Sequence, residues 1–164
     1  CLRAYTQAKM TGAPCFVRLP RAWWPAHWHD KYRDPVVPLE RALYGHPAAG
    51  DMWHSKIASV LGVLGFREVE SWPSVYVRRG ATLSQTLAFT LYVDDLVMLG
   101  GRGLRECIAQ LRRHVETEDP VDIDRYLGCN HLLTTSGNSP DRCTTVTWDM
   151  RLYLEHLFHT STGY

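Results

Sequence analysis

The hydrophobic residues of the chain recur with helical spacing in two stretches. The first begins after Gly50, where Asp51 is suited to cap a helix, and ends at Gly65, a residue type that commonly follows helices. Its apolar positions are Trp53, Ile57, Val60, Leu61 and Leu64. The second stretch covers residues 103–116, with apolar positions Leu104, Ile108, Leu111 and Val115. The spacing predicts an amphipathic helix in each.

Shorter segments rich in β-branched and aromatic residues predict strands. They cover residues 13–20, 74–78, 86–93, 96–99, 126–133 and 144–148. We expect an irregular loop at 21–35, a polar turn at 136–142, and a last helix capped by Asp149 and carrying Leu152, Leu154, Leu157 and Phe158. Strands and helices do not alternate regularly, so the sequence predicts an α+β fold.

Two adjacent carboxylates, Asp94 and Asp95, lie between two of the predicted strands. The glycine pair at 100–101 ends the second strand, so the stretch predicts a hairpin with both acids at its tip. Burying two like charges side by side is costly, and something must compensate. One interpretation is an exposed turn, in which Asp is common. The other is a bound divalent cation, since Mg²⁺ prefers hard oxygen ligands. Composition alone favours the turn.

The composition of the chain excludes few functions. Its 164 residues are 45% hydrophobic, which is enough for a packed core, and its net charge of +1 neither indicates nor excludes a nucleic-acid partner. The five cysteines include no Cys-x-x-Cys pair, so neither a zinc site nor a disulfide framework is predicted. His27 and His29, in the predicted loop, are expected to be surface residues rather than metal ligands.

The start of the sequence and its lack of long apolar runs lead to predictions about the completeness and the location of the protein. The chain starts at Cys1 without a signal peptide, and it has no apolar run approaching the ~20 residues that span a bilayer. We therefore expect either a fragment or a processed piece of a longer protein, intracellular and neither secreted nor inserted in a membrane.

Several short motifs carry a family resemblance. The segment Tyr92-Val93-Asp94-Asp95 resembles the Tyr-x-Asp-Asp box of reverse transcriptases. Further matching segments are Ala42–Gly45 with the helix that carries Trp53, Leu64–Phe66, Ser74–Val77, Tyr126–Gly128 and Tyr153–Leu157. Their order and spacing, from about residue 4 to residue 158, resemble those of copia-type retrotransposon enzymes. The chain thus resembles the reverse transcriptase, an RNA-directed DNA polymerase, of a copia-type Pol polyprotein.

The resemblance implies a reverse-transcriptase palm with an antiparallel sheet, a catalytic hairpin and packed helices over residues 1–134, its fingers truncated. Residues 135–164 would form the turn, strand and helix that follow the palm, at the start of the connection region. Asp94 and Asp95 are implied to be catalytic and to bind Mg²⁺ or Mn²⁺, with two ions in the intact family. The positions implied to contact nucleotide or primer-template are Tyr92, Val93, Tyr44, Gly45 and Lys56.

The partners that the resemblance implies are an RNA or DNA template-primer and deoxynucleotide triphosphates. It also implies a location in a cytoplasmic particle or the nucleus. The oligomeric state is left open by the sequence.

The chain departs from the family pattern at four positions. Ala4 stands where the family has a third catalytic carboxylate, and Lys9 stands where it has the aromatic residue that excludes ribonucleotides. Ala48 and Asp51 stand where it has Gln and Arg. We therefore expect one bound ion or none, and a fragment without polymerase activity.

Two alternatives to the polymerase are open. One is a non-catalytic nucleic-acid-binding remnant that grips its ligand through Lys56, Arg78 and Arg79 and stacks bases on Trp and Tyr side chains. The other is a folded domain with no present function, in which the two acids form an ordinary turn.

Overall fold

The computed structural model describes residues 3–137 and 143–161. The chain divides into two compact units, one ending at Glu118 and one beginning at Asp119. Both combine helices with antiparallel sheets, which confirms the predicted mixture of helices and strands. The predicted domain boundary after residue 134 stays a prediction.

The first unit is built around a four-stranded antiparallel sheet in the order β3-β4-β5-β6. Its helices are α1 (Ala4–Gln7), α2 (Ala49–Val63) and α3 (Leu104–Leu111). Its strands are β1 (Phe16–Arg18), β2 (Val36–Pro38), β3 (Arg67–Val69), β4 (Trp72–Arg78), β5 (Leu87–Tyr92) and β6 (Asp95–Gly100). Strands β1 and β2 pair with each other in a separate antiparallel ribbon, and the loop between them contains two 3₁₀ turns.

The hydrophobic core of the first unit joins the four-stranded sheet to helix α2. Alternate residues of β5 are buried, as expected for a strand with one face against a core. Helix α2 adds Trp53, Ile57 and Leu61, which are spaced four residues apart and are each at most 1% exposed. Helix α3 adds buried residues to the same cluster. This packing fixes the position of α2 against the sheet.

The second unit contains strands β7 (Arg125–Tyr126), β8 (Cys129–Ser136) and β9 (Cys143–Asp149), followed by helix α4 (Arg151–Ser161). The three strands form one antiparallel sheet in that order. Asp149, predicted to cap α4, lies one residue before the N-cap position, and its Oδ1 accepts the backbone N–H of Arg151, the first residue of the helix, at 3.0 Å. Of the predicted polar turn at 136–142, residues 138–142 lie outside the described residues.

Helix α2 begins earlier than predicted. Ala48, not Asp51, occupies its N-cap position, and Asp51 lies in the first turn. A carboxylate in that turn is still favourable, because it interacts with the positive end of the helix dipole. The predicted end is confirmed by Gly65, which has a φ of 83° and donates its N–H to the Gly62 carbonyl.

Other predicted bounds also differ from those observed. The strand expected over 13–20 shortens to β1, helix α3 ends five residues before 116, and β2 and β3 were not predicted. The strand expected over 126–133 is interrupted, because Leu127 and Gly128 have φ values of 48° and 80° and turn the chain between β7 and β8. In the described ranges, no helix is both long and apolar enough to cross a membrane.

Candidate metal-binding site at the β5–β6 hairpin

The two adjacent carboxylates lie at the tip of the β5–β6 hairpin, as predicted from the sequence. Tyr92 pairs with Asp95, so Val93 and Asp94 form a two-residue turn. Val93 has a φ of 52°, a left-handed conformation that costs a residue with a Cβ about 1–2 kcal/mol. A β-branched residue adopts it only where its surroundings impose it. The turn brings both acids to one end of the sheet.

A buried tryptophan holds this turn. The indole N–H of Trp53 donates a hydrogen bond to the carbonyl oxygen of Val93 at 2.8 Å. Trp53 lies on the core face of α2 and is 1% exposed. A buried indole needs an acceptor for its N–H, and the Val93 carbonyl supplies one. Because Trp53 is fixed by the packing of α2 in the core, its hydrogen bond also fixes the position of the strained turn.

A tyrosine from the segment before α2 binds the first of the two acids. The hydroxyl of Tyr44 lies 2.8 Å from both carboxylate oxygens of Asp94 and donates its proton to that carboxylate. Desolvation, followed by the hydrogen bond to Asp94 and the charge of Asp94, raises the pKa of Tyr44, so the hydroxyl stays protonated at neutral pH. Gly45 follows with a φ of 94°, which lets the chain turn toward α2.

Helix α1 contacts this tyrosine. The rings of Tyr5 and Tyr44 have centroids 4.4 Å apart and are tilted by 38°. Ala4 precedes Tyr5 and is fully buried, at 0% exposure. The segment for which the resemblance implies a third carboxylate is therefore linked to the hairpin through Tyr5 and Tyr44. Ala4 contributes a methyl group and no oxygen ligand.

The donor set at the hairpin suits one hard cation better than two. Asp94 and Asp95 offer carboxylate oxygens, the ligands that Mg²⁺ and Mn²⁺ prefer. Among residues 3–137 and 143–161, however, no group of three or more His, Cys, Asp or Glu side chains is arranged to hold a metal ion. The two acids would supply two of the oxygen ligands of such a cation.

A family model described as Reverse transcriptase (RNA-dependent DNA polymerase) matches residues 3–140. The chain belongs to this family. No curated protein and no solved structure matches it significantly. The match takes in α1, the Tyr44 segment and the hairpin, so every residue of the candidate site lies within the reverse transcriptase domain.

Two of the cations expected to grip nucleic acid in this reverse transcriptase domain are bound to backbone carbonyls. Lys56 Nζ donates to the Gln7 carbonyl at 2.8 Å, and Arg78 Nη1 donates to the Leu64 carbonyl at 3.1 Å. Burial lowers the pKa of Lys56. Both side chains therefore stabilise the fold. Arg79, the third cation of the predicted grip, is exposed.

The other positions that depart from the family pattern lie in different surroundings. Lys9 is exposed, pairs with Arg41 in an isolated β-bridge, and lines a cleft of about 440 Å³ together with residues 10–15 and 38–41. Asp51 is exposed on the first turn of α2, three residues after the N-cap residue Ala48. Tyr44 is hydrogen-bonded to Asp94 of the hairpin, whereas the lining of the cleft contains no hairpin residue.

Two contributors to the site were not predicted. Trp53 was predicted only as a core position. A tryptophan on the core face of a helix needs an acceptor for its indole N–H, so the sequence did indicate that Trp53 would hydrogen-bond to another part of the chain. No pattern in the sequence pointed to the ring contact between Tyr5 and Tyr44.

Proposed function

We propose that the chain is the palm region of an RNA-directed DNA polymerase from a copia-type retrotransposon, and that its hairpin is the polymerase's metal site. One observation carries the proposal: the Tyr92–Asp95 turn presents two carboxylates at one end of a sheet and is held by Trp53 and Tyr44. Such a turn offers two hard oxygen ligands in a preformed position, which is what a cation-dependent phosphoryl transfer requires of its protein. Family membership supports the same assignment.

The hairpin would hold a divalent cation through Asp94 and Asp95. When bound there, Mg²⁺ or Mn²⁺ neutralises charge on nucleotide phosphates and lowers the pKa of a primer hydroxyl. Tyr44 donates to the same carboxylate oxygens that would bind the ion, so its hydroxyl must yield or share Asp94. Tyr92 is exposed beside the acids, which suits it to contact the end of a primer paired with an RNA or DNA template.

We infer that Ala4 limits this site to a single ion. Two cations approach to about 3.5–4 Å only when ligands shared between them offset their repulsion. Ala4 has no such group, and its burial leaves no room for solvent to substitute. With one ion, less of the charge that develops during transfer is neutralised, and the rate of nucleotidyl transfer falls by orders of magnitude. The proposed present state is a polymerase palm without useful synthetic activity.

Primer extension on an RNA template in Mg²⁺ or Mn²⁺ tests this function. We expect no extension by the unchanged chain, extension by Ala4→Asp, and none by the matched neutral variant Ala4→Asn. Adding Asp94→Asn to Ala4→Asp should abolish extension again. Extension by the unchanged chain that Asp94→Asn removes would confirm the polymerase but overturn the role given to Ala4.

Metal binding provides a second measurement that does not require synthesis. Titration with Mn²⁺, followed by calorimetry, should detect one site in the unchanged chain and none in the Asp94→Asn/Asp95→Asn double variant. Binding that survives the double substitution would place the ion elsewhere and would contradict the proposed site.

A further inference from the structure

The loop between β1 and β2 contains two copies of a five-residue pattern. Pro20-Arg21-Ala22-Trp23-Trp24 is followed directly by Pro25-Ala26-His27-Trp28-His29. In each copy the proline carbonyl accepts the N–H of the first tryptophan, at 2.8 Å in the first copy and 2.9 Å in the second. Each copy therefore forms the same 3₁₀ turn, begun by a proline whose φ of −54° is already suitable. We call residues 20–33 the tryptophan loop.

The tryptophan loop is an ordered aromatic cluster. Its base is closed by an ion pair between Arg18 and Asp34, with 2.9 Å between nitrogen and oxygen. The indole N–H of Trp24 donates to the Leu19 carbonyl at 3.0 Å. Trp28 packs edge-on against a tyrosine ring, with centroids 5.8 Å apart. These three contacts link residues within the loop and across its base.

One tryptophan of the cluster is left almost entirely in water. Trp23 is 72% exposed, whereas the tryptophans at 24 and 28 are half-buried. Tyr32, at the other end of the loop, is 43% exposed. An aromatic ring has a large apolar face, and a ring that stays in water does not gain the free energy that burial of this face would give. An exposed ring of this kind is suited to stack on a planar ligand.

The charges of the loop indicate what that ligand is. Residues 20–33 contain three cationic side chains, Arg21, Lys31 and Arg33, against one carboxylate, Asp30. The Arg21 guanidinium lies 5.7 Å from the centroid of the Trp24 ring, and Lys31 Nζ lies 5.3 Å from the centroid of the Tyr32 ring. Lys31 thus lies beside an exposed ring, and Arg21 lies beside half-buried Trp24, next in the chain to exposed Trp23. Cations close to exposed aromatic rings complement a chain of phosphates that carries planar bases.

We propose that the tryptophan loop binds an unpaired nucleic-acid strand, with bases stacked on Trp23 and Tyr32 and phosphates beside Arg21, Lys31 and Arg33. A single strand fits better than a duplex, because only unpaired bases can lie against an exposed ring. This inference rests on the proposed function in one respect: the ligand is taken to be the template strand that the polymerase would copy. It needs neither a metal ion nor the acidic hairpin.

Fluorescence anisotropy with a labelled oligothymidylate of about 12 nucleotides, in EDTA, tests the site. We expect Trp23→Ala to weaken binding by between about 5-fold and 150-fold, the range for loss of one base–aromatic stack. Trp23→Phe should keep most of the affinity because it keeps a ring. The matched control is Trp72→Ala, which removes a 68% exposed tryptophan from strand β4 and should leave the affinity unchanged.

The salt dependence of binding tests the phosphate contacts separately. For a single strand, each phosphate contact contributes roughly 0.7 to the slope of log K against log salt concentration. We expect Arg21→Gln and Lys31→Gln each to reduce the slope by about that amount. Arg102→Gln, an exposed control in the loop before α3, should leave it unchanged. An unlabelled blunt duplex should compete poorly.

The outcomes that overturn the site are distinct from those that overturn the polymerase. Equal binding by Trp23→Ala and the unchanged chain, or an equal loss in Trp72→Ala, would refute the tryptophan loop as the binding site. If Trp23→Ala instead abolishes self-association in sedimentation and leaves oligonucleotide binding intact, the loop is an interface between copies of the chain and the proposal is wrong. Asp94→Asn/Asp95→Asn, which removes the hairpin acids, should leave oligonucleotide binding in EDTA unchanged.

Discussion

Replacing Ala4 by aspartate tests the candidate site through protein stability as well as activity. Ala4 is fully buried in an apolar cluster that includes Trp53 and Leu91. An ionised carboxylate placed there without a partner costs about 3–5 kcal/mol. Since 1 kcal/mol moves the melting temperature of a domain of this size by roughly 3 °C, we expect Ala4→Asp to lower Tm by roughly 10–15 °C in EDTA.

Ala4→Asn separates the effect of charge from the effect of shape. It places a neutral side chain of nearly the same size in the core, and an unsatisfied polar group costs about 1–3 kcal/mol. Burial raises the pKa of the introduced carboxyl above its unfolded value of about 4, so the folded state resists ionisation. The stability gap between the two variants should therefore be small below pH 4 and widen as the pH rises.

Divalent cations should restore the stability that Ala4→Asp loses only if the new carboxylate lies close to the hairpin acids. At about 100 times its Kd, a cation that binds only the native state adds about 2.7 kcal/mol, or roughly 8 °C. We expect Mg²⁺ to stabilise Ala4→Asp by that amount, and the double variant Ala4→Asp/Asp94→Asn by much less. Thermal unfolding followed by circular dichroism measures all of these. Equal stabilisation of Ala4→Asn by Mg²⁺, or none of Ala4→Asp, would refute the reasoning that places position 4 beside the hairpin acids.

Three smaller perturbations test individual contacts. Tyr44→Phe removes the hydroxyl that occupies Asp94, so calorimetry should show Mn²⁺ binding about tenfold more tightly, and unchanged or weaker binding would contradict the competition. Val93→Asn relieves a left-handed conformation that asparagine tolerates, so urea unfolding should show a gain of about 1 kcal/mol, and a loss would argue against strain at this turn. Side-chain hydrogen bonds from Arg151, followed by its backbone N–H and its charge, lower the pKa of Asp149 to about 2. Arg151→Ala removes the side-chain bonds and the charge but keeps the backbone N–H, so carbon-13 titration should find that pKa raised part of the way toward 3.8, and an unchanged value would contradict the role of the guanidinium.

The hairpin and the buried face of α2 could be predicted because both follow from local pattern. Strand β5 alternates buried and partly buried residues up to exposed Tyr92 at the turn, and the acids interrupt two apolar runs. Trp53, Ile57 and Leu61 repeat every four residues, which is sufficient to define the core face of a helix.

The contacts that complete the site were not predictable, because they join residues far apart in the chain. Tyr44 and Asp94 are 50 positions apart, and Trp53 and Val93 are 40 apart. Local rules also misplaced the start of α2, because Asp51 has a capping side chain and Ala48 does not. The chain enters the helix earlier, after the positive-φ residue Gly45 and with its first residue, Ala49, buried.

The residues that shape the hairpin differ from those that would bind metal. Trp53 holds the turn through a neutral hydrogen bond, and Tyr44 offsets the charge of Asp94 with a protonated hydroxyl. Ala4 fills its place in the core with a methyl group, which needs no compensating cation as a buried carboxylate would. On the proposed function, these contacts would let the hairpin keep its geometry in a chain whose metal site is incomplete, because they depend on neutral groups of the chain itself. On our proposals, a reverse transcriptase fold can therefore lose nucleotidyl transfer while the tryptophan loop, whose contacts are independent of the hairpin, still binds the strand to be copied.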